Sequence, residues 1–104
     1  METTAPSLTT GSALPHPRSA LVFKAVAEGA VVFSTVDETY FGLNEVAARI
    51  WELLPPACAT FGDMCTVLAE RYHDVSPQEI ENDVRELLGE LLGLGLVAFP
   101  PPSA

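Results

Sequence analysis

The stretch Thr39-Tyr40-Phe41-Gly42-Leu43-Asn44 constrains the fold most, because it runs without a linker into Glu45-Val46-Ala47-Ala48-Arg49-Ile50-Trp51-Glu52-Leu53-Leu54. The first part alternates as a strand does, with Phe41 and Leu43 on one face and Tyr40 and Gly42 on the other. The second part has helical spacing, and Val46, Ala47, Ile50, Trp51 and Leu54 form one apolar stripe. Asn44 is suited to cap that helix, Glu45 complements its dipole, and Pro55-Pro56 ends it near Leu54. The pattern predicts a strand running straight into a capped helix. No catalytic constellation accompanies it, so function is expected in a binding surface.

Upstream, residues 20–27 and 30–35 are rich in β-formers and are separated by the tight turn Glu28-Gly29, which predicts a hairpin. Asp37 and Glu38 supply a second polar turn, so residues 39–43 complete a three-stranded antiparallel meander. Downstream, Thr60 and Asp63 resemble a capping box, and Phe61, Met64, Cys65, Leu68 and Tyr72 recur at helical spacing, predicting a second helix that ends near Arg71. Ser76-Pro77-Gln78-Glu79 places a cap, a proline at the first helical position and a glutamate at the third. The third helix has Ile80, Val84, Leu87, Leu88 and Leu91 on its apolar face and stops at Gly93 or Gly95. Leu96 to Phe99 can add a short extended segment before Pro100. The order β-β-β-α-α-α predicts an α+β, winged-helix-like domain: a three-stranded antiparallel β-sheet followed by three α-helices.

The chain has 104 residues, and both ends are rich in Pro, Ser, Thr and Ala. One small domain over residues 20–99 is expected, between a flexible tail over 1–19 and a disordered C-terminal tail over 100–104. Hydrophobic residues make up 48% of the chain, yet no apolar run approaches the roughly 20 residues that span a bilayer. The N-terminus lacks a secretion signal and the only cysteines are Cys58 and Cys65, so a cytoplasmic, reduced protein without a membrane partner is expected. Residues 37–90 hold twelve acidic side chains against Arg49, Arg71 and Arg85, which accounts for the whole net charge of −9. That field repels phosphate backbones and favours a neutral or basic partner.

Cys58, Cys65 and His73 lack a CxxC knuckle and a fourth ligand, so neither a metal site nor a cofactor is expected. A Cys-His nucleophile pair would need a third group to orient the histidine, and none is visible, so no catalytic residue is assigned. Trp51 fits the core, and the acids of the third helix, Glu79, Glu81, Asp83, Glu86 and Glu90, fit a solvated face. The third strand differs. It is an edge of the meander, carries neither the lysine nor the proline that usually blunts an edge, and has Gly42 at its middle, where another backbone could approach. A bulge or a tight packing point is the alternative use of that glycine.

The run TYFGLNEVAARIWELL, the helix FGDMCTVLAERY, the link DVSPQEIENDV and the ending LLGELLGLGLV together resemble the PqqD-like family, over about Leu21 to Val97. These are the precursor-peptide recognition elements of systems that make ribosomally synthesised, post-translationally modified peptides. The resemblance implies a non-enzymatic adaptor that binds the leader segment of a precursor peptide by β-strand addition and presents it to a separate enzyme. Carried onto this sequence, it implies a docking edge at Thr39, Tyr40, Phe41, Gly42 and Leu43. The facing wall would come from Ile80, Asp83, Val84, Leu87 and Leu91. The implied partner enzyme is a leader peptidase, as in lasso-peptide systems, or a radical S-adenosylmethionine enzyme.

Four or five added backbone hydrogen bonds contribute about 0.5 to 1.5 kcal/mol each, with hardly any sequence preference, so specificity must come from apolar pockets between strand and helix. Two other functions suit the same architecture. A winged-helix nucleic-acid binder is opposed by the acidic third helix, and a strand-paired dimerisation module would use the free edge on its own copy.

Overall fold

A computed structural model describes residues 11–99 of the chain. Strands β2 (Leu21–Val26), β3 (Gly29–Ser34) and β4 (Thr39–Asn44) form an antiparallel sheet in the order β2-β3-β4. Helices α1 (Glu45–Glu52), α2 (Phe61–Arg71) and α3 (Pro77–Gly93) follow, giving the α+β arrangement expected from the sequence. A second, two-stranded sheet pairs β1 (His16–Pro17) with β5 (Val97–Ala98).

Strand alternation sorts the main sheet cleanly. Ala30, Val32 and Ser34 are buried, and Leu21, Phe23, Phe41 and Leu43 pack on the core from the same face. Phe23 stacks on Trp51 with ring centroids 6.4 Å apart, fixing α1 beneath the sheet. Most of the rest of the core comes from the helices, with Ile50, Phe61, Met64, Leu68, Val84, Leu88 and Leu91, and Leu54, Cys58 and Leu96 join it from the connecting segments. Gly29 is required where it stands: it has φ +157°, and a Cβ there would collide with the Leu43 carbonyl of β4.

The helix starts follow the capping signals. The Asn44 side chain accepts from the Ala47 N–H at 2.8 Å, so the last residue of β4 is also the cap of α1. Thr60 accepts from Asp63 N–H at 3.2 Å and Ser76 from Glu79 N–H at 3.2 Å, with Pro77 opening α3. Each such cap is worth about 1 kcal/mol. The stripe of α1 departs from expectation at one end: Val46 is exposed and Ala48 is buried in its place.

The flexible tail expected over 1–19 is corrected for its second half. Leu14 is fully buried, and Phe61 N–H donates to the Ser12 carbonyl at 2.9 Å. Leu14 N–H donates to Ala59 at 3.1 Å and Arg18 N–H to Leu96 at 3.0 Å. Residues 12–18 therefore strap the start of α2 to the end of α3. The physical reason is local: one large apolar side chain and three backbone hydrogen bonds offset the ordering of a proline-stiffened segment. Residues 1–10 and the tail over 100–104 lie outside the described residues.

Candidate functional site: an open strand edge beside a groove

β4 pairs with β3 along one side only, and no described strand occupies its other side. The ladder is continuous, with Val31 opposite Gly42 and Ala30 opposite Leu43, so Gly42 does not sit in a bulge. It is not a tight packing point either, since a Cβ at Gly42 would meet nothing within 4 Å. The Leu43 carbonyl lies against Gly29 of β3. By the alternation of an antiparallel ladder, the backbone groups of Leu43, Phe41 and Thr39 then turn inward to β3, and those of Tyr40 and Gly42 turn to the free edge.

β4 and the second half of α3 stand apart, and the space between them is a groove of about 370 Å³. Its strand side is the consecutive run Tyr40 to Asn44. Successive side chains point to opposite faces of a strand, so five consecutive residues can line one groove only if the strand presents its edge to it. The helix side is Leu87, Glu90, Leu91 and Leu94, with Leu96 and Ala47 closing the ends. Leu94, 56% exposed, is the largest apolar surface offered on that side. Asn44, Ala47, Leu87 and Glu90 also line a second cavity of about 380 Å³, which continues the groove along α3 past Asp83 and Glu86 and over Val46 of α1. Both volumes lie in the range of ligand clefts, about 300 to 1,000 Å³.

The residues expected at the site divide. Tyr40, Phe41, Gly42, Leu43, Leu87 and Leu91 meet at one groove, and Asp83 lines its continuation. Thr39 is exposed at the start of β4 without lining it. Ile80 and Val84 are buried and do not line the groove; with Leu68, Tyr72 and Val75 they line a small pocket that shares Val46, Ile50 and Asp83 with the groove's continuation. A rise of 1.5 Å per residue puts Ile80 roughly 10 Å below Leu87, beside α2 rather than beside β4. Sequence reasoning missed Asn44, Ala47, Glu90, Leu94 and Leu96. The signal for Leu94 was the ending Gly93-Leu94-Gly95-Leu96, where an apolar side chain sits on the last turn and cannot be covered by its own helix.

The electrostatics of the groove are one-sided. Asp83, Glu86 and Glu90 stand on α3 along its length, and none makes an ion pair among the described residues. Among the described residues, Arg49 pairs with Glu52 at 2.7 Å and Arg85 with Glu81 at 3.5 Å, each within a single helix. Arg85 also stacks over the Phe61 ring, 4.9 Å from its centroid.

The thiols are unsuited to nucleophilic work. Burial, with Glu81 adding to it against a smaller opposing effect of Arg85, pushes Cys65 up to about 11. Burial and then Asp63 push Cys58 up as well. No group of three or more His, Cys, Asp or Glu among the described residues converges enough to hold a metal ion. No helix among them is long and apolar enough to cross a membrane.

Comparison with solved structures finds a likeness to TbiB1 in complex with the TbiA(beta) leader peptide, with a TM-score of 0.72 and 25% sequence identity, covering 84% of this chain and 99% of that one. Comparison with curated proteins gives no match. The family model of coenzyme PQQ synthesis protein D matches residues 29–97, from β3 through the capped helices to β5. The protein therefore belongs to the PqqD family.

Proposed function

We propose that this protein is a peptide-binding adaptor that takes up the leader segment of a ribosomally made precursor as a fourth strand along β4. It then presents the precursor to a separate modifying enzyme or leader peptidase. The observation that carries the reading is the groove lined by five consecutive residues of β4, an open edge facing the apolar side chains of α3. Family membership and the likeness to a chain solved with a leader peptide support the same reading.

Strand addition fixes the division of labour. Tyr40 and Gly42 offer backbone groups to the guest, and alternate guest side chains enter the groove over Leu87, Leu91 and Leu94. Burial there stabilises the complex by roughly 25 cal/mol for each Å² removed from water. Lys or Arg in the guest would meet Glu90, Glu86 and Asp83. Binding in this way needs no chemistry from the adaptor; holding the leader raises the effective concentration of the attached core peptide at the enzyme. A cytoplasmic setting suits the two free, protonated thiols.

The test is a titration of labelled leader against wild type, Gly42→Ala and Gly42→Pro. Alanine finds open space and is expected to leave affinity within about twofold. Proline deletes the outward N–H at the centre of the edge without removing a β3–β4 bond, and binding is expected to fall at least tenfold. A folded Gly42→Pro protein that bound leader as wild type does would exclude β4 as the docking edge.

A further inference from the structure

The inner face of the sheet is covered by helices, but no described element covers the outer face. Register places Val22, Phe33 and Tyr40 in one row across β2, β3 and β4, and Lys24, Val31 and Gly42 in the next. Tyr40 is 72% exposed and Val22 52%, and the Phe33 and Tyr40 rings lie against each other with centroids 4.7 Å apart. None of the three strands contains an aspartate or glutamate, and Lys24, the only lysine in a chain of net charge −9, is the one charged side chain among them. An apolar face with a single cation thus interrupts an acidic surface.

Resting on the leader-binding reading above, we infer that this outer face, widened by the bound leader, is where the processing enzyme docks. The chemistry it fits is a protein surface with an apolar patch and a carboxylate to meet Lys24. A second copy of this chain is a poor occupant, because apposing two such faces brings lysine toward lysine and two bodies of charge −9 together. The face is also small. Three six-residue strands with a rise of about 3.3 Å and a spacing of about 4.8 Å span roughly 300 Å², well short of the roughly 800 Å² per partner of a stable interface.

The leader enlarges the face to roughly 400 Å², so the enzyme must also extend its contact onto the surface around it. As a fourth strand beside β4 the leader sends alternate side chains into the groove and the others onto the outer face, next to Tyr40 and in line with the existing rows. The patch grows by about a third and exists in full only when leader is present. An enzyme that touches both parts binds the loaded adaptor more tightly than the empty one, and by linkage it tightens the hold on leader by the same factor.

The test uses Val22→Glu combined with Lys24→Glu, both exposed on β2 and about 10 Å from the leader edge. Lys24→Glu alone serves as a second variant should the pair disturb folding. Three quantities are measured: leader affinity, affinity for the purified peptidase or modifying enzyme that acts on the precursor, and the latter again with leader saturating. Leader affinity is expected to stay within about twofold of wild type. Wild type is expected to bind the enzyme at least tenfold more tightly with leader than without, and the double variant to lose most of that gain. Unchanged enzyme affinity in the variants, or an affinity that ignores leader, overturns the inference. A stable dimer of wild-type adaptor that the variants dissolve also overturns it, by assigning the face to self-association. Failure of wild type to bind leader at all removes the underlying reading instead, and the first titration reports that separately.

Discussion

Leu94 and Ile80 show why apolar residues along α3 carry different risks when changed. Leu94 is exposed on the last turn of α3, so Leu94→Ser is expected to weaken leader binding by about 1 to 2 kcal/mol while leaving the melting temperature nearly unchanged. Ile80 is buried away from the groove, and Ile80→Ala is expected to do the reverse: a loss of about 2 to 5 kcal/mol in urea unfolding with leader affinity preserved in the folded fraction. The alternation of β4 could be read from the sequence, and so could the unblunted edge. What could not be read is height along α3. Periodicity puts Ile80, Val84, Leu87 and Leu91 on one side of the helix, but which of them stands level with β4 depends on how far α3 slides past α1, and that is settled by tertiary packing. Cys65 adds a pH prediction. Its raised value means the folded state holds the thiol proton more tightly, so that stabilisation is complete below pH 9 and is lost as pH rises toward 11. In chemical unfolding, the stability of wild type relative to Cys65→Ala should therefore be lower at pH 10.5 than at pH 8.

Among the elements, the N-terminal strap was the least legible. Residues 12–18 carry two prolines and one large aliphatic side chain, a composition that reads as linker because its buried residues, Leu14 and Pro15, are adjacent and have no periodic companions. Its partners, Ala59 and Leu96, are more than forty residues away, and only the closed fold brings them together. Leu14→Ala is expected to cost about 2 to 5 kcal/mol in chemical unfolding, far more than a substitution in a flexible tail. The helices were legible for the opposite reason. Asn44, Thr60 and Ser76 act within three residues of themselves, and local capping geometry does not depend on the rest of the fold. Asn44 joins element to site, since it ends β4, caps α1 and lines the groove. Asn44→Ala should lower stability by about 1 kcal/mol and loosen the end of the edge that a guest strand would use.

Across the whole molecule, charge and shape divide the surface into three regions: an acidic helical side, an open strand edge with its groove, and the outer sheet face bearing Lys24. The net charge of −9 should make association with a basic leader sensitive to salt, with affinity falling several-fold between 50 and 500 mM as the screening length contracts below the groove's dimensions. An affinity that did not move would assign binding to the apolar pockets and backbone alone. The central claim is that the free edge of β4 receives a guest backbone, and amide hydrogen exchange read residue by residue tests it most directly. In the free protein the amides of Phe41 and Leu43, bonded to β3, should exchange slowly and those of Tyr40 and Gly42 quickly. Saturating leader should slow Tyr40 and Gly42 at least tenfold and leave Phe41 and Leu43 little changed; if leader binds and Tyr40 and Gly42 still exchange as in the free protein, the guest does not lie along β4.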